Sequence, residues 1–419
     1  MARVRAMGEV EEKCARAKAA AALLAALPAE TKNRALLAAK DALVKNADAI
    51  LEANKADLVA SSSLPKSVTK RLELNEKKIA AMAEGFGIIA SFPDPVGSVA
   101  EKWKLASGLK ISRVRVPLGV LAFIYEARPN VTTESTSLAL KSGNTIILRG
   151  GKEAISTNKA LVKIMQQAFS ASGVPSDAVQ LIEDTSHEAA AQLMRMRGFV
   201  DVLIPRGGAG LIKAVVENAR VPVIETGAGN CHAYVDSSAD LGIAEKIILN
   251  AKLSSPYVCN ALEHVLIHKR IAKKFVPLLA ASLAKAGVEV RGDEQACKLV
   301  PSAKRMTEEE QYLEYLDLII GIKTVDSVEE ACTHINKYGT HHSDTIITKS
   351  KKNAAYFAST VDSCCVYVNA STRFSDGYTM GFGGEVGIST QRLHARGPIG
   401  LKELCTTKLV CTGKGQIRE

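Results

Sequence analysis

Apolar residues recur at helical spacing through an Ala-, Leu-, Lys- and Glu-rich stretch at 10–61 and again at 68–89, which predicts an all-helical N-terminal region. Pro93 and Pro95 end that pattern. Residues 110–116, Lys-Ile-Ser-Arg-Val-Arg-Val, alternate with period two, the mark of a half-exposed strand serving as an arm or edge. After Gly119 comes Val-Leu-Ala-Phe-Ile-Tyr, a continuous apolar run suited to a strand buried on both faces. Helices at 132–141, 154–170, 187–194 and 210–218 then alternate with strands at 145–148, 179–182 and 200–204. A second series has strands at 233–235, 265–267, 318–322, 345–348 and 366–368 with helices between them, and 407–411 reads as one more strand. This alternation predicts doubly wound parallel sheets. Cys364 and Cys365 adjoin the strand at 366–368, where alternation would point them to opposite faces.

At 419 residues the chain is long enough for about two to three domains. With 47% apolar and 23% charged residues it is an ordinary globular chain, which excludes disorder, collagen-like repeats and disulfide miniproteins. Neither an internal repeat nor a low-complexity tract is visible. The longest apolar stretch, 19–27, stops at Pro28, far short of the ~18–20 residues of a membrane span. Glu9, Glu11 and Glu12 precede it, unlike the basic start of a targeting segment, so a cytosolic protein is expected. Nine cysteines without Cys-x-x-Cys pairs fit a reduced compartment. The net charge is +10, but the densest basic segments, 102–115 and 349–352, are short, and aromatics are 5% with one Trp. That favours a small anionic ligand over nucleic acid.

Phosphate motifs narrow the chemistry. The Gly-Gly-Lys ending at Lys152 is followed by Glu153 with the wrong glycine spacing for a Walker loop, and 381–387 is one residue off a dinucleotide fingerprint. Residues 204–210, Ile-Pro-Arg-Gly-Gly-Ala-Gly, follow a buried strand and open a helix, so Arg206, Gly207 and Gly208 offer an anion cradle or a plain turn. Cys259, on a loop after Pro256, is a candidate nucleophile or a small buried hydrophobe. In Tyr-Glu-Ala-Arg-Pro-Asn-Val, 125–131, Asn130 could serve an oxyanion or cap a helix, and Arg128 could meet phosphate or carboxylate. Glu225 has the apolar, glycine-rich setting of a general base, or satisfies backbone donors. His341, His342 and His394 lack metal-ligand spacing, so no metal site is expected.

Seven segments in order carry a resemblance: 125–131, 148–153, 204–210, 221–232, 258–263, 368–374 and 394–398. Over nearly its whole length the chain resembles the γ-glutamyl phosphate reductase family, a branch of the aldehyde dehydrogenase superfamily. The resemblance implies an aldehyde dehydrogenase-like α/β fold of two doubly wound domains plus a β oligomerisation arm. It implies a discontinuous NADPH-binding domain, 1–104 and 120–230, a catalytic domain, 231–398, and an arm from 105–119 and 399–419. Cys259 would then be the nucleophile, and Asn130 with the Cys259 backbone N–H the oxyanion hole. Lys152 and Glu314 would hold the adenosine and nicotinamide riboses, and Arg206, Gly207 and Gly208 the cofactor phosphates. Arg128, Arg373 and Arg396 would bind the substrate's phosphate or carboxylate, and Glu225 would be auxiliary.

The implied reaction is NADPH-dependent reduction of L-glutamyl 5-phosphate to the 5-semialdehyde, the second step from glutamate to proline. A separate glutamate 5-kinase and a homodimer or homotetramer are expected, without nucleic acid or membrane partners. One departure is visible: Ser254-Ser-Pro256 stands where bacterial members commonly read Gln-Arg-Pro, so the basic residue beside the nucleophile is missing. A hydrolytic, cysteine-dependent semialdehyde dehydrogenase, in which Glu225 would be essential, is the rival reading. A basic nucleic-acid-binding protein on a borrowed fold is the second.

Overall fold

The computed structural model describes residues 8–418, the side chains of 66–68 and of 209 excepted. The remaining residues of the expected 1–104 and 399–419 segments lie outside this description. The chain divides into two compact units, one running to Thr226 and rejoined by Gly381–Gly387 and everything from Ile399, the other Gly227–Met380 with Ile388–Pro398.

The first unit opens with helices Glu9–Ala25, Ala29–Lys45 and Ala47–Ala60, in the stretch read as helical. The second helical stretch is split into Lys66–Leu72 and Glu76–Ser91, because Asn75 accepts the Lys78 N–H and starts a new helix. A parallel four-stranded sheet follows in the order Val179–Leu181, Thr145–Arg149, Val120–Tyr125, Val202–Arg206. Val120–Tyr125 is buried at every residue, as its unbroken apolar run requires, and packs with Ile147, Leu193, Leu203 and Val215. The last strand runs two residues beyond the expected 200–204. Pro205, which ends a central strand for want of an N–H, is tolerated on this edge strand.

The order makes the crevice at the carboxyl ends of Val120–Tyr125 and Val202–Arg206 the point where the winding reverses. The same unit contains an antiparallel sheet of Val99–Lys104, Lys110–Pro117 and Cys405–Thr412. Val99–Lys104 was not foreseen, since every residue of it is exposed and it carries no alternation. Gly381–Gly387, expected with the Cys259 segment, belongs instead to this unit, where the Val386 N–H donates to Ile399 O (3.0 Å).

The second unit is a parallel seven-stranded sheet ordered Lys304–Arg305, Glu289–Gly292, Ile319–Val325, Leu262–His268, Cys231–Val235, Ser343–Ile347, Cys365–Val368. The first two strands escaped the sequence reading because they are short and polar. Helices Leu241–Leu253, Lys269–Lys285, Val328–Tyr338 and Lys351–Thr360 fill the gaps. A fully buried ion pair, Lys252 Nζ to Glu263 Oε2 at 2.7 Å, joins the helix before the Cys259 turn to the strand after it. The expectation that Cys364 and Cys365 face opposite ways fails: their sulfurs are 3.9 Å apart. Cys364 precedes the strand that begins at Cys365, so strand alternation does not govern it.

Candidate active site

Cys259 lies, half-buried, in the turn between helix Leu241–Leu253 and strand Leu262–His268. Neighbouring segments of its unit fix that turn. Gly229 lies against it so closely that a Cβ there would stand 1.4 Å from the Cys259 carbonyl oxygen, so only glycine fits. The same oxygen accepts a hydrogen bond from the Cys231 thiol (3.2 Å). The Gly229 N–H donates to Glu314 Oε1 (2.7 Å), which ties the expected ribose-binding carboxylate to the support of the Cys259 turn. Burial raises the Glu314 carboxyl above its ordinary pKa.

Asn260 holds the turn from the other side. Its amide donates to Ser375 O (2.7 Å), its carbonyl accepts from Thr372 Oγ1 (2.7 Å), and its Oδ1 accepts from the Arg373 guanidinium. Arg373 Nε also donates to Ser254 Oγ (2.9 Å), so one edge of this arginine is anchored beside the Cys259 loop. Ser254 is thus a partner of Arg373 at the very segment where the Gln-Arg-Pro word is replaced. Arg396 is differently placed: its Nη2 pairs with Asp362 Oδ1 (2.9 Å), which Arg392 also engages. Those two guanidiniums, Arg392 foremost, hold the Asp362 carboxyl below its usual pKa.

In the first unit the other expected residues gather at the carboxyl ends of adjacent parallel strands. Arg128 is the N-cap residue of helix Pro129–Lys141, and Asn130 follows Pro129 in its first turn, exposed. Asn130 therefore does not cap the helix. Exposed Lys152 opens the short 3-10 helix after Thr145–Arg149. Arg206 ends its strand, and Gly208 is the N-cap of helix Ala209–Asn218. Half-buried Glu225 sits between Val223, which bridges to Leu203, and Thr226, whose hydroxyl donates to Pro205 O (2.9 Å).

One residue escaped the sequence reading. Glu126 accepts the Gly208 N–H through Oε2 (3.0 Å), and a Cβ at Gly207 would meet its carboxyl carbon at 2.7 Å. This exposed carboxylate occupies the helix N-terminus as an oxyanion would, and a phosphate reaching the two glycines beside Arg206 would take its place. The donor set thus fits the phosphates of a dinucleotide at the switch point of a doubly wound sheet. No group of three His, Cys, Asp or Glu side chains suited to a metal occurs among the described residues.

The family model described as "Aldehyde dehydrogenase family" matches residues 2–318. A γ-glutamyl phosphate reductase of Caldanaerobacter subterraneus subsp. tengcongensis is 52% identical over 413 residues, 98% of this chain and 100% of that protein. The γ-glutamyl phosphate reductase structure from Thermotoga maritima superposes with a TM-score of 0.97 at 47% identity, covering 98% of this chain and 100% of that one. An acetylating aldehyde dehydrogenase of Geobacillus thermoglucosidasius shares the fold at 17% identity, with a TM-score of 0.69 and 98% coverage of both chains. The two doubly wound sheets are therefore an aldehyde dehydrogenase-like α/β fold, and the chain belongs to the aldehyde dehydrogenase family, in its γ-glutamyl phosphate reductase branch.

Proposed function

We propose that this protein reduces L-glutamyl 5-phosphate to L-glutamate 5-semialdehyde with release of phosphate, the second step from glutamate to proline, through a thioester on Cys259. The observation that carries the reading is the Cys259 turn, pinned by Gly229 on one side and Asn260 on the other, with Glu314 and Arg373 hydrogen-bonded to those two supports.

The Cys259 thiolate attacks the acyl carbon, and the C–O bond to phosphate breaks with the electron pair leaving on phosphate. A reduced nicotinamide, here NADPH, supplies when bound the hydride that brings the acyl group to the aldehyde level. Collapse of the thiohemiacetal returns the electron pair to sulfur and frees the aldehyde, which cyclises to pyrroline-5-carboxylate. Asn130 and the Cys259 backbone N–H donate to the acyl oxygen as charge develops on it. Arg206, Gly207 and Gly208 hold the cofactor phosphates, Lys152 the adenosine ribose and Glu314 the nicotinamide ribose.

Arg128 and Arg373 bind the anionic ends of the substrate. Arg396, committed to Asp362, serves by supporting its own loop. Glu225 is auxiliary: phosphate departs without help from an activated water, and a base poised over the thioester would waste it by hydrolysis. The hydrolytic reading needs that base and is disfavoured by the reductase relatives. A cytoplasmic homodimer or homotetramer fed by a separate glutamate 5-kinase completes the proposal.

Trapping tests it. With semialdehyde and NADP+ but no phosphate, rapid acid quenching should leave a glutamyl thioester on the Cys259 peptide, and added phosphate should discharge it. No adduct under those conditions would remove the covalent mechanism.

A further inference from the structure

Two thiols in the second unit have no part in this chemistry. Cys364 and Cys365 are both unoxidised, with their sulfurs 3.9 Å apart. Cys364 is half-buried and Cys365 is 8% exposed. The backbone holds the pair in place: the Cys364 N–H donates to His341 O (2.9 Å) and the Cys365 N–H to His342 O (3.1 Å). The Cys364 sulfur also lies 2.8 Å from His342 O, a second acceptor that competes with Cys365 for its single thiol proton. Around Cys365 stand the hydroxyls of Ser375 and Tyr367, themselves hydrogen-bonded at 2.8 Å. The neighbouring thiol, chiefly, and then these hydroxyls favour a thiolate at Cys365.

From this pair a short chain of contacts leads to the nucleophile. Ser375, beside the Cys365 thiol, receives the Asn260 amide on its carbonyl (2.7 Å), and Asn260 follows Cys259 directly. Strand Cys365–Val368 also runs into the loop that carries Arg373. A change at the two sulfurs therefore has two routes to Asn260, through Ser375 and through the loop that carries Arg373.

We propose that Cys364 and Cys365 form a vicinal dithiol that low-molecular-weight disulfides oxidise to an intrachain disulfide, and that this closure slows the reaction of Cys259 through Ser375 and Asn260. The Cys365 thiolate attacks one sulfur of the small disulfide, forming a mixed disulfide and expelling one thiolate. Cys364, giving up its proton, attacks the Cys365 sulfur and expels the second. Two protein thiols are oxidised by two electrons, and the two small thiolates take up the protons. A thiol reductant reverses both steps.

The test uses the intact protein with oxidised glutathione, followed by alkylation of free thiols and tryptic digestion. The peptide from Asn353 to Arg373 contains Cys364 and Cys365 and no other cysteine, and that from Leu253 to Lys269 contains Cys259 alone. The expected product is the first peptide lighter by two hydrogens and without glutathione, while Cys259 is still alkylated. In Cys364→Ser, glutathione should stay on Cys365 instead. In the closed form, alkylation of Cys259 by iodoacetamide should slow about tenfold and kcat/KM should fall about tenfold, both restored by dithiothreitol.

Glutathione retained on the wild-type pair, or oxidation confined to Cys259, would overturn the dithiol. Closure with an unchanged Cys259 alkylation rate would overturn the coupling. The kcat/KM readout alone rests on the reductase reading, so failure of that reading is distinguishable.

Discussion

Gly229 contributes no side chain, yet it sets where the Cys259 carbonyl can lie. In Gly229→Ala the added carbon stands 1.4 Å from that oxygen, and neither partner is a flexible side-chain end. The turn must shift by an ångström or more, for which a loss of about 100-fold in kcat/KM is expected. Strain at a packed backbone should also lower the unfolding free energy by about 1–3 kcal/mol. Steady-state kinetics and urea unfolding check both, and wild-type kinetics in this variant would show that the turn is not held there. Cys259 and Asn130 stand out as candidates in the sequence because each sits in a short word, while the support that Asn260 gives the Cys259 turn becomes visible only in the fold. Glu126 does not stand out, because its partner Gly208 is brought to it only by pairing of Tyr125 with Arg206 across two strands.

Strand pairing also stacks imidazoles that no local pattern announces. His232 and His264 are opposite one another on Cys231–Val235 and Leu262–His268, their rings 5.0 Å apart, and His334 meets His232 edge-on at 5.5 Å. Burial first, and then the electrostatics of the neighbouring side chains, push His264 well below its ordinary pKa and His334 down to about 2. Both therefore stay neutral in the fold, while in the unfolded chain they take up protons below the ordinary value of 6.5. Their contribution to stability is full above that pH and declines as pH falls through it, by up to about 1.4 kcal/mol per pH unit for each group. In His334→Gln the slope of unfolding free energy between pH 6 and 5 should be shallower by about one proton. An unchanged slope would mean that His334 is not held neutral. The parallel strands themselves were readable where burial forces an unbroken apolar run, as at Val120–Tyr125. They were not where exposure removes the constraint, as at Val99–Lys104.

The three-stranded sheet ends in Cys405–Thr412, an edge strand on which Leu409 and Val410 are 53% and 42% exposed. An unpaired, apolar edge invites another chain, and it supports the proposed oligomer. Leu409→Lys combined with Val410→Lys should lower the mass seen by light scattering to that of one chain, with circular dichroism unchanged. An unchanged mass would place the interface elsewhere.

In the proposed reaction Cys259 exchanges its acyl group with phosphate rather than with water. The measurement that meets it most directly is NADP+ reduction with glutamate 5-semialdehyde, with and without phosphate, in wild type and in Cys259→Ala. Turnover is expected only with phosphate, and none in the variant. Sustained turnover without phosphate would contradict it and establish hydrolysis of the thioester instead.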